Sequence, residues 1–169
     1  MVNNAGIESG QSLLETTEET FDLVQAVNLK GAVFGTKLAA QQFIAQGGGG
    51  VVVNISSTHE DWPMPGDIAY CASKGGMRML TRTAGVELAE QGVRIVNVGP
   101  GAIATPINAE DLDDPESAAA LKAAIPMGRI GTPRDVARTV VFVASDKASY
   151  MTATTVFVDG AIMHASSGV

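Results

Sequence analysis

Four short runs of apolar and β-branched residues along the chain predict β-strands. They cover residues 1–3, 51–55, 93–98 and 154–158. The middle two show little alternation with polar residues, which is typical of strands buried on both faces of a parallel sheet. The run at residues 1–3 is short and is interpreted as the end of a strand.

Longer segments with apolar residues at helical spacing separate these strands. The pattern predicts helices over residues 17–46, 68–90 and 132–145. The first helix opens on acidic residues, which complement the helix dipole. The third opens on Thr132 and Pro133, a capping residue followed by a proline at the first helical position, and Asp135 gives the spacing of a capping box.

The alternation of strands and helices predicts an α/β fold, a parallel sheet with helices on both faces in a three-layer α/β/α sandwich. Sheets of this kind bind ligands beyond the carboxyl ends of their strands. The candidate functional residues are therefore those that follow each strand. They are Asn4-Ala5-Gly6, Ser56-Ser57 and Gly99-Pro100-Gly101.

Composition narrows the class of protein. A chain of 169 residues with 46% hydrophobic and 17% charged residues suits one folded domain and excludes a disordered tail. The net charge of -7 argues against a nucleic-acid partner. No apolar run reaches the roughly 20 residues that span a bilayer, so no membrane partner is expected. The single cysteine, Cys71, fits a reducing compartment, and we expect a cytoplasmic protein with no metal site.

Tyr70 and Lys74 form a candidate proton-transfer pair because they lie one turn apart on a predicted helix. A nearby ammonium favours tyrosinate, so we expect Lys74 to lower the pKa of Tyr70. Such a phenol can exchange a proton with an alcohol or a carbonyl. The alternative is a simple surface contact. Ser57 at the ligand edge can reach the same substrate oxygen. Asn28 lies inside a predicted helix, which indicates either a bend or a cap, or a functional role.

These residues carry a resemblance to the short-chain dehydrogenase/reductase family. Four motifs agree with the family in order and spacing, and together they extend over essentially the whole chain. They are Asn3-Asn4-Ala5-Gly6, Asn28-Leu29-Lys30-Gly31, Ser57 with Tyr70-Cys71-Ala72-Ser73-Lys74, and Asn97-Val98-Gly99-Pro100-Gly101 with Thr105. Within the family, residues 55–60, 100–110 and 125–131 look most like those of bacterial glucose 1-dehydrogenases.

The resemblance implies a catalytic role for four residues. Tyr70 would be the general acid/base, and Ser57 would polarise the substrate oxygen. Lys74 would hold the nicotinamide ribose and lower the pKa of Tyr70. Asn28 would hold a water that connects Lys74 to solvent.

The resemblance also implies binding residues for an NAD or NADP cofactor and for a small alcohol or carbonyl substrate. Cofactor contacts would come from Asn4, Ala5, Gly6, Tyr70, Lys74, Pro100, Gly101, Ile103 and Thr105. Substrate contacts would come from Glu8, Ser57, His59 and Tyr70, and residues 107–127 would form a lid. For His59, a structural hydrogen bond is the alternative.

The chain departs from the family pattern in two ways. It lacks the Thr-Gly-x-x-x-Gly-x-Gly turn that places the cofactor pyrophosphate on a helix N-terminus, and the first βαβ units with it. We therefore expect the C-terminal two-thirds of a Rossmann-type domain, with Met1 an internal methionine and NAD or NADP preference undetermined. In addition, Ala153 and Ala161 stand where the family often has glycine.

Three functions remain open at this point. The first is an NAD(P)-dependent oxidoreductase acting on an alcohol such as a sugar. The second is a reductase of 3-oxoacyl groups on acyl-carrier protein, which shares the same motifs. The third is an inactive fragment that serves as an oligomerisation or binding module. A partial sheet leaves apolar surface uncovered, and the family forms its subunit interface with the first two helices, so we expect a homo-oligomer, a dimer or a tetramer.

Overall fold

The computed structural model describes residues 1–108 and 113–165. A four-stranded parallel sheet of order β1-β2-β3-β4 lies at its centre. The strands are β1 Val2–Asn3, β2 Gly50–Ile55, β3 Val93–Pro100 and β4 Thr154–Val158. All four predicted strands are present. Strand β3 continues two residues beyond the predicted end because Gly99 and Pro100 pair with β4.

Helices cover both faces of the sheet, so the chain has the predicted Rossmann-like α/β fold. They are α1 Glu18–Val24, α2 Gly31–Gln46, α3 Ile68–Glu87, α4 Pro115–Ala124 and α5 Pro133–Ala144. Single 3-10 turns lie at Thr58–Glu60, Ala89–Gln91, Pro106–Asn108, Asp146–Ala148 and Ile162–His164. Helix α5 begins with the predicted capping box between Thr132 and Asp135. Within the described ranges, no helix is both long enough and apolar enough to cross a membrane.

Two helices differ from the sequence prediction. The first predicted helix is interrupted at Gln25–Lys30 by a π-helical turn, which lies between α1 and α2. The second ends at Glu87 rather than Glu90, since a separate 3-10 turn follows. Helix α4 was not predicted. It lies within the predicted lid at residues 107–127, of which residues 109–112 are outside the described part of the chain.

The core consists of two layers of aliphatic side chains, one on each face of the sheet. On one face, Val52 and Ile95 pack against α2 and α3. On the other face, Val53, Val96 and Val98 pack against α5. Successive strand residues point to opposite faces, so adjacent valines such as Val52 and Val53 serve different layers. This packing holds the carboxyl ends of the strands beside the start of α3.

Ala153 and Ala161 adopt the left-handed backbone conformation, with φ angles of 56° and 71°. A residue with a Cβ atom is disfavoured there by about 1–2 kcal/mol. These are the two positions where the sequence departs from a glycine pattern. The chain therefore keeps the backbone geometry that glycine would adopt and accepts the strain at both alanines.

Candidate active site

A cavity of about 1030 Å³ lies at the carboxyl edge of the sheet. The segments that follow β1, β2 and β3 line it, together with α3, α4 and α5. Twelve of the thirteen residues that the sequence singled out line this cavity. They are Asn4, Ala5, Gly6, Glu8, Ser57, His59, Tyr70, Lys74, Pro100, Gly101, Ile103 and Thr105. The thirteenth, Asn28, is buried behind it.

The Ser57 hydroxyl is oriented by the start of a short helical turn. Its oxygen accepts a hydrogen bond from the backbone N–H of His59 at 3.1 Å. Ser57 also acts on the Tyr70 phenol: burial raises the pKa of Tyr70, and Ser57 acts to lower it. A serine hydroxyl has one donor hydrogen and two acceptor lone pairs, so after accepting from His59 the Ser57 hydroxyl keeps its hydrogen and one lone pair. Ser57 can therefore donate to a substrate oxygen placed between the two side chains.

Lys74 lies behind Tyr70 on the same face of α3. Its Nζ atom donates to the Ile55 carbonyl at 3.0 Å and lies 5.2 Å from the centroid of the Tyr70 ring. Burial lowers the pKa of Lys74 to about 8, although the charges of Glu8 and Glu60 act to raise it. The ammonium carries three donors and one is used on Ile55, so two remain for a ligand.

The expectation that Lys74 lowers the pKa of Tyr70 is wrong for the chain as described. Burial raises the pKa of Tyr70 to about 12, the Ser57 hydrogen bond acts to lower it, and the charge of Glu8 raises it further. The main physical reason is burial, which disfavours the charged phenolate, and the placement of the neighbouring charges adds to it. The Lys74 ammonium lies near the ring and is held by the Ile55 carbonyl, while the carboxylate of Glu8 acts on the phenol with the opposite sign.

Asn28 is only 1% exposed and lies in the π-helical turn. Its Nδ2 atom donates to the Ile7 carbonyl at 2.9 Å and to the Ser73 hydroxyl at 3.0 Å. Its Oδ1 atom accepts from the Ile7 N–H at 2.8 Å. Both amide hydrogens are thus used on protein acceptors. The side chain ties the loop after β1 to helix α3, and π-helical turns occur frequently at functional sites.

Asp67 is a residue of this site that the sequence reasoning missed. It caps α3 by accepting from the Tyr70 N–H at 3.1 Å. It also accepts from the Ser9 N–H at 2.7 Å, the Ser9 hydroxyl at 2.6 Å and the Gly10 N–H at 3.1 Å. Asp67 therefore joins the loop that carries Glu8 to the helix that carries Tyr70. Its position just before a predicted helix was the available signal.

His59 lies beside Tyr70 at the mouth of the site. Its Nδ1 atom is 3.0 Å from the carbonyl oxygen of Trp62, and its ring stacks with the indole of Trp62 at 6.2 Å. A carbonyl accepts hydrogen bonds, so the neutral ring carries its proton on Nδ1 and offers Nε2 as an acceptor. The predicted structural hydrogen bond and a ligand contact are compatible, because they use different nitrogen atoms.

Apolar residues that the sequence reasoning did not name individually, two of them from the predicted lid, add to the wall of the cavity. They are Trp62, Met64, Ile107, Leu121, Val136, Val140 and Val141. Trp62 and Met64 lie between Ser57 and Tyr70 in the chain, whereas Leu121 and Val140 come from α4 and α5. Only the tertiary structure brings these helices to the carboxyl edge of the sheet.

The site residues fit the nicotinamide riboside end of a dinucleotide. A Cβ atom added at Gly6 would lie 3.6 Å from both Lys74 Nζ and Asn28 Oδ1, so glycine keeps this approach open. The free donors of Lys74 face the same region of the cavity. The glycine-rich turn that would hold the pyrophosphate is not present in the 169 residues. The fit therefore concerns one end of the cofactor.

Comparison with known proteins identifies the family of this chain. A family model described as enoyl-(acyl carrier protein) reductase matches residues 1–162. The chain is 46% identical to 3beta-hydroxysteroid dehydrogenase 1 of Eggerthella lenta, over 94% of this chain and 61% of that protein. It is 36% identical to glucose 1-dehydrogenase of Gluconobacter oxydans, over 96% of this chain and 61% of that protein.

A solved structure shows the same fold. It is that of a gluconate 5-dehydrogenase from Burkholderia cenocepacia in complex with NADP and tartrate, which is 30% identical. The TM-score is 0.93, and the match covers 97% of this chain and 64% of that one. The chain thus spans less than two-thirds of the length of these relatives. The matched motifs, the Rossmann-like sheet and the family model together show that the chain belongs to the short-chain dehydrogenase/reductase family.

Proposed function

We propose that this chain carries the proton-transfer and substrate-binding part of an NAD(P)-dependent oxidoreductase that interconverts an alcohol and a carbonyl. The observation that carries the proposal is the arrangement of Ser57, Tyr70 and Lys74 in one cavity. All three residues line the cavity, Ser57 acts to lower the pKa of Tyr70 against the larger effect of burial, and the Lys74 ammonium lies 5.2 Å from the Tyr70 ring. This places a proton donor or acceptor beside a fixed hydrogen-bond donor, as general acid–base chemistry requires.

The residues of the site divide the work of proton transfer. In the reductive direction, the Tyr70 hydroxyl gives its proton to the substrate carbonyl oxygen, and Ser57 donates a hydrogen bond to the same oxygen. The raised pKa of about 12 keeps Tyr70 protonated and ready to donate at neutral pH. In the oxidative direction tyrosinate must form to take the proton of the alcohol, and Ser57 is the group that acts to lower the pKa of Tyr70 against burial. A bound nicotinamide supplies or accepts the hydride.

Asn28 takes a positioning role in this proposal. Its side-chain hydrogens are used on Ile7 and Ser73, so one lone pair of Oδ1 is the side-chain capacity left for a water. A water held there lies on the side of Gly6 that faces Lys74, because both groups border the same Gly6 position. That water would connect the ammonium to solvent and restore its proton.

The proposed cofactor is NAD or NADP, held through its nicotinamide and ribose. Lys74 and Tyr70 would meet the ribose hydroxyls beside the segment Asn4-Ala5-Gly6. The segment from Pro100 to Thr105 would border the carboxamide. The cavity is lined by all of these residues, which supports the assignment. NADP occurs in the related gluconate 5-dehydrogenase structure, and the proposal leaves the choice between NAD and NADP open.

The proposed substrate is a small neutral alcohol, such as a sugar like glucose, or its carbonyl form. Glu8 and His59 supply hydrogen-bond acceptors for hydroxyl groups at one side of the cavity. Trp62 and Leu121 supply an apolar wall opposite, which also suits a larger hydroxylated ring system. Both substrate types, a sugar and a larger hydroxylated ring system, are consistent with the names of two relatives, a glucose 1-dehydrogenase and a 3beta-hydroxysteroid dehydrogenase.

The acyl-carrier-protein alternative is less well supported. A carrier protein is acidic and needs a basic docking patch. The segment from Met77 to Arg82 offers Arg78 and Arg82, but Arg78 is paired with Asp61 and lies 4.0 Å from Glu60. Its charge is therefore largely neutralised by the protein itself.

We further propose a single domain of residues 1–169 that forms a cytoplasmic homo-oligomer, a dimer or a homotetramer, with a substrate lid at residues 107–127. Large apolar side chains on α2 and α3 support the oligomer. Leu38 is 65% exposed and Val86 is 72% exposed. Helix α4 supports the lid, because its Leu121 reaches the cavity wall.

The inactive-fragment alternative is favoured by one observation, the absence of the glycine-rich turn from the sequence. Titration with NADH and NADPH separates the two functions, with Trp62 fluorescence as the probe because this single tryptophan lines the cavity. Saturable quenching supports the oxidoreductase. No quenching by either dinucleotide would leave the inactive fragment.

Turnover tests the role of Tyr70 directly. Tyr70→Phe removes the transferable proton and is expected to lower kcat by about 10²–10⁴-fold while dinucleotide affinity is kept. Tyr150→Phe is the matched control, since Tyr150 is fully exposed and is not among the described residues lining the cavity. Equal turnover in the two variants would remove Tyr70 from its proposed role.

A further inference from the structure

Glu60 is a carboxylate buried beneath the site rather than in it. Its side chain is 1% exposed, and it is not among the described residues that line the cavity. A buried carboxylate is costly unless it is hydrogen-bonded or paired with a cation. The residues around the Glu60 carboxylate must therefore supply hydrogen-bond donors or a cation.

Two strands and one helix supply those partners. Asn97 of β3 donates from Nδ2 to Oε2 at 3.0 Å, and Thr155 of β4 donates from its hydroxyl to Oε1 at 2.6 Å. The guanidinium Nε of Arg78 on α3 lies 4.0 Å from Oε1. Both carboxylate oxygens of Glu60 are therefore held in place from the sheet.

The same contacts continue across the whole sheet as a row of polar side chains. Asn3, Asn54, Asn97 and Thr155 stand opposite one another in register on β1 to β4, and we call them the transverse polar row. Asn3 Nδ2 donates to Asn54 Oδ1 at 2.8 Å. Thr81 of α3 bridges the next two members, because it accepts from Asn54 at 2.9 Å and donates to Asn97.

The row ends at Glu60, and Glu60 is connected to the active site in two ways. Its backbone N–H donates to the Ser57 carbonyl at 3.2 Å, so it closes the turn that orients the Ser57 hydroxyl. Its carboxylate also acts electrostatically on Lys74. The turn and helix α3 are in direct contact, since a Cβ added at Gly75 would lie 4.0 Å from the Glu60 carbonyl oxygen.

The charged and titratable groups around this pair come from three elements. Lys74 is faced by Glu8 from the loop after β1, by Glu60 from the turn after β2, and by Tyr70 on its own helix. Glu60 is faced by Lys74 and Arg78 from α3. Its contacts on β3 and β4, described above, are uncharged.

We propose that Glu60 is a positioning residue of this active site, which fixes the Ser57 turn onto β3 and β4 and supplies the buried negative charge that Lys74 faces. The inference rests on the proposed function, in which Lys74 works as a cation. Burial lowers the pKa of Lys74 to about 8, and the charges of Glu8 and, second to it, Glu60 act to raise it. Removing the charge of Glu60 while retaining the side-chain shape must make Lys74 lose its proton at lower pH.

The test is the titration of Lys74 itself, followed by NMR of protein labelled with ¹³C-lysine, without cofactor or substrate. Lys74→Arg identifies the Lys74 resonance. In Glu60→Gln the titration midpoint is expected to fall by about one pH unit, as for loss of a neighbouring opposite charge. Glu90→Gln is the control, since it removes an exposed carboxylate in the turn after α3 that is not among the charges acting on Lys74, and it should leave the midpoint unchanged. Equal midpoints in Glu60→Gln and the unmodified chain would overturn the proposal.

A second variant tests the effect of Glu60 on the Lys74 titration midpoint if Glu60→Gln does not fold. Arg78→Gln removes the cation that offsets Glu60 from a partly exposed side chain, so the Lys74 midpoint is expected to rise. An unchanged or lower midpoint would contradict the electrostatic role. In an active enzyme, Glu60→Gln should also shift the high-pH limb of the pH profile of kcat to lower pH.

Thr155→Val separates positioning from charge. It removes one hydrogen bond to Glu60 and keeps the carboxylate, so kcat should fall several-fold while the Lys74 midpoint stays. Unchanged kcat would contradict the positioning role. The Lys74 titrations need no ligand, so they test the role of Glu60 separately from cofactor binding. If the chain binds no dinucleotide but the Lys74 midpoint still depends on Glu60, the oxidoreductase function is refuted and the electrostatic role of Glu60 is not.

Discussion

The Tyr70 phenol is expected to ionise near pH 12 in the ligand-free chain, about two units above an ordinary tyrosine. Two pKa units correspond to about 2.7 kcal/mol in favour of the neutral form. The cause is burial, and the negative charge of Glu8 adds to it. The measured pKa of Tyr70 decides which effect dominates at the phenol. Burial and the charge of Glu8 raise the pKa, whereas a dominant Lys74 ammonium would lower it.

The perturbation that isolates this group is Tyr150→Phe, because the chain contains only two tyrosines. Tyrosinate absorbance then reports Tyr70 alone, and circular dichroism shows over which pH range the chain stays folded. The pKa of Tyr70 is higher in the folded chain than in the unfolded chain, so neutral Tyr70 stabilises the fold. This stabilisation is fully present below about pH 10 and is lost as the pH rises through about 12. The titration should therefore coincide with the onset of alkaline unfolding.

A second substitution tests the cause. Glu8→Gln in the Tyr150→Phe background removes a charge that raises the Tyr70 pKa, so tyrosinate should appear at lower pH. A midpoint at or below pH 10 in the folded Tyr150→Phe chain would refute the reasoning, because the Lys74 ammonium would then outweigh burial. An unchanged midpoint in the Glu8→Gln variant would refute the contribution of Glu8.

Three further predictions concern stability, each measured by urea unfolding. Ala161→Gly relieves a left-handed alanine at an exposed site, so the free energy of unfolding should rise by about 0.5–1 kcal/mol after the entropy cost of glycine. Ala119→Gly within α4 is the control and should lower it by about 1 kcal/mol. Gly85→Ala places a Cβ 2.8 Å from the backbone of Ala153 and should cost about 1–3 kcal/mol, whereas a neutral effect would mean that α3 can move away. For Asp67, burial raises the pKa, but hydrogen bonds from Ser9, Gly10 and the Tyr70 backbone outweigh it and lower the pKa overall. Its contribution is therefore present above the unfolded pKa of about 4 and lost as pH falls through the lower folded value, so Asp67→Asn should weaken the acid dependence of stability. Identical acid dependence in both chains would contradict this account.

Much of the fold could be predicted from the sequence because its signals are local. The apolar runs and the capping pattern at Thr132 depend on nearest neighbours along the chain, and both correspond to elements of the structure. Helix α4 was missed because its apolar face is weak and none of its described side chains is fully buried. The π-helical turn was missed because it depends on Asn28 reaching Ile7 and Ser73, which are distant in sequence.

The candidate site follows the same division. Residue type and spacing alone were enough to select Ser57, Tyr70 and Lys74, because motif residues at strand ends and on one helix face converge in any parallel sheet. The pKa of Tyr70 could not be obtained in this way. It depends on how deeply α3 is buried and on the loop that brings Glu8 close, and Asp67 holds that loop through hydrogen bonds.

The sequence by itself thus determined the family and the order of strands and helices, and it selected the candidate proton-transfer residues, because all of these signals are encoded in short segments. Tertiary structure alone decided the electrostatics. Burial lowers the pKa of Lys74, and the charges of Glu8 and Glu60 act to raise it. The transverse polar row holds Glu60 beneath the site, and four strands must be in register for that row to form. Burial and charge act through space, so they exist only once segments far apart in the chain have packed together.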